Sequence, residues 1–396
     1  MSIKVKGFLQ DVGGASRVTK LREENFAKGS TVIDPKDPIR EVADLLHPKH
    51  MVFKVVDIRE ASPSSRVFRF ESGDGHIPCF QSGQYVNFRL KIGESVLSRP
   101  YTISSAPYEA RGEHPFFEIT VRRNVPYLVP DYLFENVKVG DELEGALPFG
   151  FFYYEPLRDA KEIVALAGGS GITPFHSMAK EIAYGKLQGL KLTILYGSVK
   201  ADDIVLKDEL AKIEADCPDI KVVHVLSDEP DWPGEKGFIT REIIEKYSTS
   251  DCTYMFCGPL PMFRFVKKAL DEMGVPVRRF RHDVVNNPAD VSTLPGYPKG
   301  TEEKTFKITV VRGVREDVID AKASEPVAVA LERAGIAIDT HCRNGECGFC
   351  RSHLLSGEIF VSPIGDGRRR MDKEMGWFHA CSSWPLSDLK IKIPIM

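Results

Sequence analysis

No run of this 396-residue chain is apolar for the length that a bilayer crossing demands, and its first residues, MSIKVKGFLQDVGG, lack the apolar core and cleavage site of a secretory leader. A cytoplasmic protein without a membrane span is the expectation. Excess charge is missing too: 53 Lys and Arg stand against 56 Asp and Glu, so no global field suits nucleic acid or an anionic surface. Cysteine is sparse, eight residues in all, which excludes a disulfide scaffold in so long a chain. Internal repeats and low-complexity tracts are absent. What is present is length enough for two to four domains, with 42% hydrophobic residues to fill their cores.

Cys79, Cys217, Cys252 and Cys257 are scattered through strand-like or helical text, but the other four cysteines are grouped. Within THCRNGECGFC, residues 340 to 350, Cys342, Cys347 and Cys350 follow the spacing C-x4-C-x2-C, and Cys381 comes thirty intervening residues later. That is the spacing of a plant-type [2Fe-2S] cluster, in which four thiolates hold two irons. A loop carrying three ligands must turn its backbone inward, which gives Gly345 and Gly348 a purpose. The competing reading is structural zinc, whose sites usually pair separate C-x2-4-C knuckles. A Rieske centre would need two histidines as ligands; four cysteines already complete the set, so His341 and His379 are expected to be flanking or solvent-facing. Two strand-like runs (306 to 313 and 317 to 323), a helix-like run (327 to 335) and a last strand-like run (388 to 393) surround the loop. Over about 90 residues this order resembles a plant-type ferredoxin domain, an α+β (β-grasp) fold.

In KEIVALAGGSGITPFHSM, residues 161 to 178, an apolar strand runs into Gly168, Gly169 and Gly171 and then a helix, with Thr173 expected as its cap and Pro174 as its first residue. A helix N-terminus offers unpaired N–H groups, and side-chain-free positions let a pyrophosphate come close. Alone the motif is weak, because many α/β proteins turn the chain this way. Further strands are expected at 190 to 197, 220 to 227 and 252 to 258, alternating with helical text at 203 to 215, 240 to 247 and 261 to 273, which implies an α/β doubly wound parallel sheet. AGGSG and FCGP both fall at strand C-termini, where such sheets bind ligands. Cys257 is therefore a candidate, although a small buried residue is the plainer reading of a lone cysteine. Asp228, after the strand ending at Ser227, suits a ribose hydroxyl rather than a 2′-phosphate and points to NADH; Lys200 leaves NADPH as the alternative.

Residues 51 to 147 alternate apolar and polar positions in short strands and read as an antiparallel β-barrel. They contain RPYTISSAP: an Arg suited to phosphate, a Tyr suited to a flat ring, and a Thr able to meet a ring nitrogen. An ordinary edge strand closed by Pro107 is the alternative.

Taken together, Arg99-Pro100-Tyr101-Thr102, Gly169-Ser170-Gly171-Ile172-Thr173-Pro174 and Cys257-Gly258-Pro259 make residues 51 to 285 resemble the ferredoxin-NADP reductase superfamily. With the appended ferredoxin domain the order resembles the phthalate dioxygenase reductase group and the reductases of hybrid-cluster proteins. The resemblance implies a multidomain chain: an extension of unassigned role (1–50), a flavin-binding barrel (51–155), an NAD-binding domain (156–285), a linker (286–303) and a [2Fe-2S] domain (304–396). It implies that Arg99, Pro100, Tyr101, Thr102 and Val121 hold the flavin, that Gly168, Gly169, Gly171, Ile172, Thr173, Pro174, Asp228, Cys257, Gly258 and Pro259 hold the nucleotide, and that Thr102, Thr173 and Cys257 border the reacting rings. Cys342, Cys347, Cys350 and Cys381 are the expected metal ligands. Members that prefer the phosphorylated nucleotide tend to carry Arg where Asp228 stands, which again favours NADH. The sequence departs from the pattern at Leu128–Leu133, where a second phosphate loop usually has Gly and Ser, so FMN stays open beside FAD. It departs again at Arg281–Val285, where an acid is present but the usual aromatic is not. Histidines 47 and 50 are expected to be solvated.

The expected activity is that of a reductase passing electrons from NADH through flavin and a [2Fe-2S] cluster to a redox protein acceptor. The alternatives are a flavin-dependent NAD(P)H oxidase or diaphorase, and a redox-sensing binding protein.

Overall fold

Alternation along VFRF and VNFRL puts Phe68, Phe70, Val86 and Phe88 on the same side of their strands, and all four are buried in one core. In the computed structural model, which describes residues 8–29, 37–123, 128–285, 290–363 and 365–394, these strands belong to a six-stranded antiparallel sheet. Its strands are β1 (Met51–Ser62), β2 (Ser65–Ser72), β3 (Tyr85–Ile92), β4 (Ser95–Thr102), β5 (Phe117–Arg122) and β6 (Glu142–Phe149), in the order β4-β3-β6-β1-β2-β5. A bridge between Ile103 and Ile119 joins the two edges and closes the barrel. The chain ahead of it forms a unit of its own, with helices α1 (Phe8–Lys28) and α2 (Pro38–Leu46). His47 and His50 are exposed, and His50 Nδ1 lies 2.9 Å from Glu144.

After helix α3 (Leu128–Glu135) and β6 comes a parallel sheet of β7 (Glu162–Gly168), β8 (Lys191–Ser198), β9 (Ile220–Leu226), β10 (Glu235–Lys236), β11 (Thr253–Pro259) and β12 (Phe280–Val285). Its order is β10-β9-β8-β7-β11-β12. Alternate residues of β7 enter opposite cores. Ile163, Ala165 and Ala167 pack with α4 (Thr173–Ala183) and α5 (Lys207–Asp216), whereas Val164 and Leu166 pack with α6 (Arg241–Tyr247) and α7 (Leu260–Glu272). Burial on both faces explains the unbroken apolar run that the sequence shows here.

The ferredoxin domain has a mixed sheet in which β14 (Arg315–Lys322), β13 (Thr305–Arg312), β19 (Leu389–Lys392), β15 (Arg351–Ser356) and β17 (Trp377–His379) are neighbours in that order. The pair β16 (Ile359–Val361) and β18 (Ser383–Pro385) forms a small second sheet; helix α8 (Val327–Arg333) packs on the main core and α9 (Arg370–Glu374) precedes β17. The segment read as a linker is anchored in its described part: Val291, Leu294 and Tyr297 are buried around Trp384, and the Tyr297 hydroxyl donates to the Ala323 carbonyl at 3.1 Å. Residues 286–289 lie outside the described residues.

Candidate functional site

The cysteine loop leaves α8 through Gly335 and reaches Cys342 within one short extended stretch. Gly345 and Gly348 take φ of +83° and +80°, and a Cβ at Gly345 would strike the Ser382 side chain, so the inward turn requires glycine there. The four thiols fall into two hydrogen-bonded pairs, Cys342 with Cys347 and Cys350 with Cys381. Cys350 and Cys381 are buried in the domain core, and Cys347 is exposed. The Cys342 sulfur also accepts the N–H groups of Asn344 and Cys347, both at 3.4 Å. The neighbouring Cys347 thiol, with these amides, holds the Cys342 thiol down at about 5 against its burial. Two thiol pairs at the end of a converging amide loop fit two irons that share four thiolates.

Both flanking histidines are buried, contrary to the expectation of solvent-facing side chains. His341 is stacked on Phe349 at 3.7 Å between centroids and meets Phe149 of the barrel edge-on at 4.3 Å. The Nδ1 of His379 is hydrogen-bonded to the Gly345 carbonyl, which ties β17 to the ligand loop. Each ring therefore supports the loop from behind.

Beside this loop opens a cleft of about 580 Å³, within the size range of cofactor sites. Three domains line it: Arg99, Pro100, Tyr101, Thr102 and Val121 from the barrel, Ser170, Thr173 and Cys257 from the parallel sheet, and Cys342 and Arg343 from the cysteine loop. The pairing of β3 with β4 sets Tyr85 opposite Thr102 and Phe88 opposite Arg99, so the RPYT run sits on a strand edge held by its neighbour. Burial raises both the Tyr85 and Tyr101 hydroxyls and keeps them neutral. An apolar wall with phenol rings, hydroxyls and a cation fits a flavin ring and its phosphate. The residues of the expected second phosphate loop instead begin helix α3, and Leu128, Val129 and Pro130 give the cleft an apolar border.

On the nucleotide side, β7 runs into a 3-10 turn, Gly169–Ile172, that continues directly into α4. This corrects the expected cap: Ile172 occupies the capping position in helical geometry, and the Thr173 hydroxyl donates back to the Ser170 carbonyl at 3.1 Å. The turn has already begun the helix, so no extended residue is left to cap it. At Gly171 the near neighbour of a Cβ would be the Cys257 carbonyl, so the missing side chain lets the glycine turn pack on the CGP strand end. Gly168 comes against Pro259 and Met262 in the same way. Burial, reinforced by the Asp283 carboxyl, raises the Cys257 thiol well above its ordinary value. Cys257 is thus a neutral wall group rather than a nucleophile. Gly258 and Pro259 close β11, Ile172 and Pro174 are buried behind the cleft, and Asp228 is exposed just past β9 with its N–H bonded to the Val199 carbonyl at 2.9 Å.

Several contacts of the site have no counterpart in the sequence patterns. Arg122, next to Val121, lies against Gly169 and is ion-paired with Asp203, so it joins barrel and glycine turn. Asp283 lines the cleft beside Cys257; burial, then the nearby Cys342, raises its carboxyl to about 6. Arg99 is already engaged: Glu332 on α8 accepts its Nη1 at 3.0 Å and also accepts Arg343 at 2.7 Å. Asn87 donates to the Thr340 carbonyl at 3.0 Å across the same seam. Asp283 is the acid noted within Arg281–Val285, and the RRN run after Val121 gave a local hint of Arg122; Glu332 and Asn87 depend on contacts between distant segments.

Models of three families match the chain: the oxidoreductase FAD-binding domain at residues 52–154, the oxidoreductase NAD-binding domain at 165–268 and the 2Fe-2S iron-sulfur cluster binding domain at 312–386. The chain is 27% identical over 343 residues to the glycine betaine monooxygenase reductase subunit of Chromohalobacter salexigens, an alignment that covers 83% of this chain and 91% of that protein. It is 30% identical over 242 residues to NADH-cytochrome b5 reductase 1 of Candida glabrata, covering 59% of this chain and 83% of that protein. Among solved structures, phthalate dioxygenase reductase superposes with a TM-score of 0.64 at 20% identity, covering 87% of this chain and 98% of that one.

Proposed function

Since the chain belongs to the ferredoxin-NADP reductase superfamily and carries its own 2Fe-2S ferredoxin domain, we propose that it is the NADH-dependent reductase component of an oxygenase system. The observation that carries this reading is one cleft lined at once by the RPYT strand, the glycine turn with the CGP strand end, and the cysteine loop. Donor and acceptor positions therefore share a wall. When bound, FAD takes two electrons as hydride from NADH and the cluster hands them on singly.

The protein's part is orientation and exclusion of water. Tyr101 supplies a neutral face for the flavin ring, Thr102 a hydrogen-bonding edge, and Arg99 a cation for its phosphate. Thr173 and Cys257 border the nicotinamide, while Gly168, Gly169 and Gly171 shape the turn beneath the pyrophosphate. Asp228 meets the adenosine ribose, which favours NADH. Cys342, Cys347, Cys350 and Cys381 hold the cluster. An oxygenase as acceptor is supported by the similarity to the glycine betaine monooxygenase reductase subunit, which aligns over 83% of the chain.

The test is anaerobic mixing of the purified protein with NADH while flavin and cluster absorbances are followed, with flavin extraction and iron analysis on the same sample. Bleaching of flavin followed by the cluster is expected. In Cys342→Ser, flavin bleaching should persist while reduction of cytochrome c or an oxygenase partner is lost. Undiminished turnover in that variant would favour direct transfer from flavin to small acceptors.

A further inference from the structure

Glu332 is 1% exposed on α8, yet its strong partners lie outside that helix. Arg99 of the barrel gives Nη1 to its two oxygens at 3.0 and 3.2 Å. Arg343, the residue after Cys342, gives Nη1 to Oε1 at 2.7 Å and Nη2 to Oε2 at 3.2 Å. The same two guanidiniums also converge on the Ser98 carbonyl, at 2.8 Å from Arg99 and 3.3 Å from Arg343. One buried carboxylate between two guanidiniums leaves positive charge uncompensated, an arrangement that an anion completes. The three side chains all border the cleft. Among the described residues, every hydrogen bond of Arg99 runs through Nη1, so its Nε and Nη2 edge has no protein partner.

We propose that Glu332 is a positioning residue that ties flavin retention to docking of the ferredoxin domain. By holding Nη1 of Arg99 it turns the remaining edge of the guanidinium to the anionic phosphate of the flavin. By holding Arg343 it keeps the cysteine loop against that same arginine. The inference rests on the function proposed above. Linkage makes the effect mutual: a carboxylate that pre-orients Arg99 strengthens flavin binding, and bound flavin strengthens the seam between barrel and ferredoxin domain. No other buried carboxylate of the ferredoxin domain donates its charge to the barrel among the described ion pairs.

Glu332→Gln keeps the shape and removes the charge. In the full-length, cluster-loaded chain stripped of flavin, fluorescence titration with FAD should show a Kd raised about tenfold, the size expected for loss of a charge-assisted hydrogen bond. After NADH mixing at saturating FAD, cluster reduction should slow by a similar factor while flavin bleaching changes less than about twofold. Glu332→Asp should restore part of both. Unchanged FAD affinity in a variant with full iron content overturns the proposal, whether or not the cluster slows, because docking alone would then account for Glu332. Hydrogen exchange of α8 in the wild-type chain gives a second reading that needs no variant. Bound FAD should slow exchange of residues 327–333, and equal exchange with and without FAD overturns the linkage. A wild type whose flavin NADH does not bleach defeats the functional reading itself; bleaching in the wild type with an unaltered Glu332→Gln defeats the linkage only.

Discussion

At Gly171 a single methyl group would overlap the Cys257 carbonyl, and neither backbone can retreat, because one lies in the turn before α4 and the other at the end of β11. Gly171→Ala should therefore destabilise the nucleotide domain by about 1–3 kcal/mol, the range for overpacking a filled site. Denaturant unfolding followed by NADH-binding fluorescence would measure it. An unchanged midpoint would mean that the glycine turn and the end of β11 separate freely. The glycine pattern was plain in the sequence, but its purpose was not. A pyrophosphate and a neighbouring carbonyl make the same demand for a missing Cβ, and only the fold shows that Cys257 and Gly171 are neighbours. Arg99 gives the same lesson. Its residue type announced an anion partner, but Glu332 stands 233 residues away and no local pattern could pair the two.

Elements were legible wherever periodicity was strong. The buried strands β7, β8, β9 and β11 fall within a residue or two of their expected positions, because burial on both faces writes an unbroken apolar run. Boundaries were less legible where geometry depends on the preceding turn, as at Thr173, or where a proline sits inside a helix start, as in α3. Ion pairs between elements were not legible at all. The Glu209 carboxylate of α5 meets Arg59 of β1 at 3.1 Å and His176 of α4 at 3.1 Å, and Arg59 also holds Glu118 of β5 at 2.6 Å. Burial alone would raise the Glu209 carboxyl, but His176 and Arg59 outweigh it and hold it down at about 2. A folded value below the ordinary 4.5 means that the charged carboxylate stabilises the fold above that pH and that the stabilisation fades as pH falls from about 4.5 towards 2. Glu209→Gln should flatten the acid limb of stability across this window, measured by denaturant midpoints at successive pH values. An equally steep limb would show that the α5 contact contributes nothing.

At the scale of the molecule, three domains that each resemble a separate module share one cleft, and the seam between barrel and ferredoxin domain is short and polar in part. The buried Asn87 amide crosses it to the Thr340 carbonyl. Asn87→Ala leaves that carbonyl without its donor and should weaken docking by about 1–3 kcal/mol, slowing cluster reduction after NADH mixing while hydride transfer to flavin keeps its rate. Stopped-flow absorbance separates the two steps; equal slowing of both would place Asn87 in flavin binding instead.

Strand order in the ferredoxin sheet carries a consequence for biosynthesis. The strand β19 lies between β13 and β15, and Cys381, the proposed fourth ligand, precedes only β18 and β19, so the sheet and that thiol are completed last in the domain. A chain still leaving the ribosome has its barrel and nucleotide fold available for assembly while the proposed iron site has three of its four thiols and is unsealed. On the proposed ligand set, a four-thiol site for iron and sulfide is complete only once translation has passed Cys381, and a product clipped before it is expected to be yellow without being brown.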